Sequence, residues 1–114
     1  MKILELFKNQ KLNGFSNEVL FIGGRLHLIA SGKFDGAKIK YQVSYDDGKT
    51  YHDYLVMNDE AAIQDFPGKM FYIVEDGEVK IRAILSNASN NTNISLNGYY
   101  NQYYSPKYNL IALT

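Results

Sequence analysis

The chain has 114 residues, enough for one domain with one core and too few for two. Lys plus Arg equals Asp plus Glu at 12 each, so there is no basic excess to offer nucleic acid. Cysteine is absent, which excludes disulfides, thiol chemistry and thiolate metal sites. Near-zero net charge lowers self-repulsion and suits a chain that packs against others. The first eight residues hold a short apolar run broken by Glu5, which reads as neither a signal peptide nor a membrane helix. The expectation is a chain made in the cytosol that stays there or leaves inside an assembly.

Taken in order, residues 3–7 predict a short first strand or an arm, and residues 8–17 a polar loop around Gly14. Residues 18–22 predict a strand that turns at Gly23-Gly24 into a second strand, 25–31, so that the pair reads as a hairpin. In that second strand Leu26, Leu28 and Ala30 share one face and His27 lies on the polar one. Residues 37–45 alternate strictly. Ala37, Ile39, Tyr41, Val43 and Tyr45 are expected inward and Lys38, Lys40, Gln42 and Ser44 outward, the mark of an antiparallel sheet with one wet face. Asp46-Asp47-Gly48 then supplies a tight turn, because Asp tolerates the left-handed region and Gly adopts it without cost. Residues 50–56 return as the partner strand, with a less regular pattern.

Residues 58–64 carry Asp59-Glu60-Ala61-Ala62 and predict one helical turn. Phe66-Pro67-Gly68 predicts a turn, residues 69–75 a strand, and Asp76-Gly77 a hairpin turn. Residues 78–85 alternate well, with Val79, Ile81, Ala83 and Leu85 inward. A polar loop, 86–91, leads to a last strand, 92–98, with Ile94 and Leu96 inward. About seven short strands with turn signals between them predict a single-domain, all-β, antiparallel β-sandwich, immunoglobulin-like or jelly-roll-like.

No catalytic constellation stands out. Ser44, His52 and Asp53 could be assembled into a triad, but no nucleophile elbow supports it, and surface placement is the default for His27 and His52. Two isolated histidines do not make a zinc site, and Asp46, Asp47 and Asp53 lack calcium-loop spacing, so they read as turn caps. Three Asn-x-Ser/Thr triplets between residues 87 and 95 are chance matches in an Asn-rich stretch without a secretory signal. No enzyme activity, cofactor or metal is expected, and no nucleic-acid or membrane partner.

The eight residues from Ser44 to Tyr51 fit Ser-x-Asp-x-Gly-x-Thr-aromatic. This resembles the Asp-box, a hairpin of sialidases and of many non-catalytic β proteins. There it is a folding element away from the chemistry, so Ser44, Asp46, Gly48, Thr50 and Tyr51 are expected to be structural. It occurs once, which does not indicate a multi-bladed propeller. Gly32-Lys33-Phe34-Asp35-Gly36-Ala37, the strand to Tyr45, this turn, and the late strand ending in Arg82-Ala83 before a Ser/Asn-rich loop follow one another in order. That order, over residues 32–96, resembles small β-sandwich proteins encoded among the virion genes of tailed bacteriophages. The resemblance implies a virion structural protein made in the host cytoplasm. It would be a capsid-associated decoration or auxiliary protein, with a tail or head–tail component as the alternative, partnered by capsid or tail subunits or by further copies of itself. No catalytic residues come with it.

Ten tyrosines and no tryptophan mark the composition. Tyr is amphipathic and loses little side-chain entropy when ordered, so a dense cluster reads as a contact surface. Residues 1–98 are expected to form the sandwich, and residues 99–114 a Tyr-rich arm or a last edge strand. Pro106 argues against a regular central strand there. Extended, these sixteen residues reach at most about 50 Å. On the arm reading Tyr99, Tyr100, Tyr103, Tyr104, Tyr108, Leu110 and Ile111 are the partner-binding residues. Exposed tyrosines on a sandwich also fit a carbohydrate-binding module that recognises a surface glycan.

Overall fold

Alternation with a period of two fixes which side chains go inward, and two sets of alternating strands close over one core. In the computed structural model, residues 1–55, 63–67 and 70–101 are described. Among them the strands are β1 (Lys2–Gln10), β2 (Gly14–Phe15), β3 (Val19–Phe21), β4 (Gly24–Lys33), β5 (Lys38–Ser44), β6 (His52–Asp53), β7 (Ile63–Gln64), β8 (Met70–Glu75), β9 (Val79–Ser86) and β10 (Asn93–Tyr100).

The chain is an all-β domain of two antiparallel sheets in a sandwich-like arrangement. Sheet A runs β1-β10-β4-β8. Sheet B runs β2-β9-β5-β6, with β3 also on β9 and β7 also on β5. Each flank of sheet B is therefore two short strands end to end. In sheet A, register shifts between Glu5 and Phe7 and between Phe7 and Gln10 break the edge strand β1. Short and bulged edges discourage unplanned strand addition. Leu26, Leu28 and Leu96 from sheet A meet Phe21, Ile39 and Ile81 from sheet B, all fully buried. Tyr41 lies among them, its ring stacked on Phe71 at 5.2 Å and its hydroxyl donating to the buried Gln64 Oε1 at 2.6 Å. Burial pushes the Tyr41 phenol far above its ordinary value, so it stays a neutral donor.

Several expectations are corrected. Gly23-Gly24 is not a hairpin turn: β3 pairs with β9 in sheet B, whereas β4 pairs with β10 and β8 in sheet A. Asp76-Gly77 is not one either, because it joins β8 of sheet A to β9 of sheet B. Both glycine steps carry the chain across the sandwich, and they pass each other closely. A Cβ on Gly23 would lie 3.2 Å from the Gly77 Cα and N, and φ at Gly23 is 104°. Two crossing backbones without side chains pack where a hairpin would splay the sheets.

Tyr45, expected inward, is 65% exposed, and Ser44, expected outward, is buried. Strand β5 ends at Ser44, whose hydroxyl turns in to serve the following loop. The expected loop 8–17 holds the end of β1 and all of β2. The return strand after the turn is only His52–Asp53, with a bridge at Leu55; Val56 lies outside the described residues. The expected helical turn falls partly outside them at 58–62, and Ile63 and Gln64 are a strand paired to β5. Of the expected arm, Tyr99 and Tyr100 are the last residues of β10, paired with Ile3 and Lys2 of β1. Tyr100 is buried edge-on against Phe21 at 5.2 Å, so it is a core residue rather than a partner-binding one.

The Gly23→Ala variant is expected to lose about 1–3 kcal/mol of stability, from backbone strain and from the clash with the second crossover. Chemical denaturation measures it; a variant as stable as the parent would show that the crossovers do not constrain each other.

Candidate functional site

Two surfaces carry the residues singled out by the sequence. The first is the hairpin between β5 and β6. The Ser44 hydroxyl donates to Asp46 Oδ1 at 2.8 Å and accepts the Gly48 N–H at 2.8 Å. Asp46 accepts the Thr50 N–H at 2.8 Å and the Thr50 hydroxyl at 2.6 Å. Asp47 and Gly48 carry the positive φ angles, 62° and 85°. The Thr50 hydroxyl, then the Thr50 N–H and Ser44, hold the Asp46 carboxyl well below the ordinary 3.8.

Tyr51 extends this network over the outer face of sheet B. Its hydroxyl donates to Glu18 Oε1 at 2.6 Å. Burial, then that bond, pushes the phenol up to about 12. The Arg82 guanidinium lies 3.9 Å from the Tyr51 ring centre and 4.1 Å from that of Phe15. Arg82 Nε donates to Gln42 Oε1, and Gln42 Nε2 donates to Asp53 Oδ1, at 2.8 and 2.9 Å. Asp53 also pairs with Lys40 at 3.2 Å, and the Gln42 bond leads in holding its carboxyl down.

These partners decide the chemistry. The Ser44 hydroxyl is spent inside the turn and Asp53 binds Gln42 and Lys40, so Ser44, His52 and Asp53 are not joined as a triad. Asp47 faces Lys80 at 3.3 Å rather than Asp46 and Asp53. No group of three His, Cys, Asp or Glu side chains among the described residues could hold a metal ion. In the hairpin Ser44, Asp46, Gly48 and Thr50 are bonded to one another.

The second surface is the outer face of sheet A. Register places Ile3, Tyr99, His27 and Tyr72 in one row across all four strands. The next row holds Glu5, Asn97 and Ile29, and on the other side Arg25 pairs with Val74. Ile3 is 58% exposed, Val74 53%, and Tyr72 45%. His27 meets Tyr72 edge-on at 4.7 Å, and the Arg25 guanidinium lies 5.4 Å over the Tyr72 ring. A shallow depression of about 380 Å³ opens beside them, lined by Gly24, Arg25, His27, Val74 and Asn101. Along β10 the outward residues Asn93, Ser95, Asn97 and Tyr99 form an uncharged line. The side chains of Asn93, Asn97 and Tyr99 make no hydrogen bond among the described residues.

Of the expected partner-binding residues, Tyr99 lies in this row. Tyr103, Tyr104, Tyr108, Leu110 and Ile111 fall outside the described residues. Ile3, Ile29, Tyr72 and Val74 were missed. Their signal was apolar residues on the wet side of alternating strands, legible only once the strand order is known. Comparison with protein-family models, with curated proteins and with solved structures finds no match for this chain.

Asp46 sets the pH dependence of the hairpin. Its folded-state carboxyl titrates below its unfolded value, so its contribution is complete above about pH 4 and is lost as pH falls through the folded-state value. Asp46→Asn is expected to melt lower than the parent at neutral pH, with the gap narrowing steadily as the solution is acidified below pH 4. A gap of constant size from neutral to strongly acid pH would mean that carboxylate charge does not hold the turn. Gly48→Val is expected to cost about 1–2 kcal/mol, because a β-branched residue is strained at positive φ. A melting temperature equal to the parent's would contradict it.

Proposed function

We propose that the chain is a non-catalytic structural protein of tailed-bacteriophage particles, attached to the capsid surface. It works through protein contacts made by the outer face of sheet A. The virion setting rests on the resemblance of residues 32–96. The working face rests on one observation: Ile3, Ile29, Tyr72 and Val74, large apolar and aromatic side chains from three strands of sheet A, are exposed on its outer face, with half-buried Tyr99 between them. A contiguous exposed apolar patch of this kind is the usual mark of an interaction site. Tyrosines supply rigid contact area at small entropic cost, as interface anchors do.

Mass spectrometry of purified particles of the encoding phage is expected to find the protein in many copies. Tyr72→Lys is expected to remove it from particles without lowering its melting temperature, because Tyr72 points away from the core. Absence of the unaltered protein from particles rejects the proposal. Unchanged incorporation of Tyr72→Lys rejects the face.

The uncharged line Asn93, Ser95, Asn97 and Tyr99 favours a second reading, a glycan-binding module. Open amides and a tyrosine suit neutral hydroxyl-bearing rings, which stack on aromatics and hydrogen-bond to amides. A glycan array probed with the parent and with Asn97→Ala decides it, and no binding by the parent rejects it.

A further inference from the structure

We propose that the outer face of sheet A binds a second copy of this chain, as a two-fold pair centred on Tyr99. The proposal rests on the reading of this face as a contact surface and names its partner.

Two opposite charges flank Tyr99 on this face. Glu5 lies one strand from Tyr99 and two residues beyond Ile3, the partner of Tyr99 on β1. Arg25 lies one strand away on the other side, two residues before His27, the partner of Tyr99 on β4. Asn97 and Ile29 share the row of Glu5, whereas Val74 shares the row of Arg25, so the two charges fall on opposite sides of the Tyr99 row. Glu5 and Arg25 are therefore diametrically opposed about Tyr99, each roughly 8 Å from it by strand and residue spacing. Both are exposed, and the ion pairs among the described residues involve neither.

A two-fold axis lying between two such faces, over Tyr99 and perpendicular to that diagonal, exchanges the two charges. Arg25 of each copy then sits over Glu5 of the other, and Tyr99 meets Tyr99. On the same lattice of spacings this axis brings Ile29 against Tyr72 of the second copy. One symmetry operation thus pairs Glu5 with Arg25 and Ile29 with Tyr72. The strands cross at roughly 70°, close to the orthogonal class of sheet packing. An isologous contact needs this self-complementarity, and zero net charge leaves no long-range repulsion between copies. The footprint, four strands by eight residues, is on the order of 500 Å², below the half-share of a standard interface. The pair is accordingly weak and concentration-dependent.

Sedimentation of the full chain from low micromolar to millimolar concentration tests it, with melting temperature as a check on folding. The parent is expected to dimerise across that range. Arg25→Glu and Glu5→Arg, each alone, are expected to weaken the dimer at least about tenfold, because both copies of the charge pair become repulsive. The double variant Arg25→Glu/Glu5→Arg is expected to regain the parent's affinity. A monomeric parent, single reversals that leave the dimer unchanged, or a double variant that fails to recover would each overturn the proposal. A monomeric parent that still enters particles, and loses that ability in Tyr72→Lys, would discard the self-pair alone and leave the contact face standing.

Discussion

The two glycine crossovers are the constraint on which the rest depends. Gly23 and Gly77 pass within van der Waals contact, and each carries the chain from one sheet to the other. Because the chain crosses at Gly23, β4 becomes an interior strand of sheet A. Because it crosses back after β8, β9 becomes an interior strand of sheet B. Had either step been an ordinary hairpin, strands joined by it would share a sheet. Tyr72 would then not lie beside His27, nor Arg82 beside Gln42. Both surfaces are consequences of this topology, since side chains that are distant in sequence become neighbours only across the strand order it imposes.

The two faces differ in how their side chains are spent. On sheet B, Arg82 is flanked by two rings and bonded to Gln42, Gln42 to Asp53, and Asp53 to Lys40. The Asp46 carboxylate is likewise consumed within its turn. Such a network is stabilising only when its members find partners, and here they do. On sheet A the row of Ile3, Tyr99, His27 and Tyr72 is flanked on opposite sides by Glu5 and Arg25.

Much of the sandwich was legible in the sequence, because strict alternation in 37–45, 78–85 and 92–98 names the inward residues directly. The hairpin was legible for a different reason. Ser44, Asp46, Gly48 and Thr50 bond to one another within seven residues, so their order carries their geometry. The crossovers were not legible, since Gly-Gly and Asp-Gly signal a change of direction but not whether the chain stays in its sheet. Tyr45 was misplaced because the period-2 reading runs past the point where Ser44 turns inward for the loop. Tyr100 was assigned to an arm because composition shifts at Tyr99, whereas pairing with Lys2 continues the strand. The row on sheet A required register between β1, β10, β4 and β8, which no local pattern encodes.

The central claim, that sheet A rather than sheet B presents the working surface, is tested most directly by NMR of the labelled chain as its concentration is raised. The account predicts that signals of Ile3, Ile29, Tyr72 and Tyr99 shift together, while those of Phe15, Leu20 and Tyr51 on sheet B stay fixed. Shifts confined to the sheet B residues would contradict it.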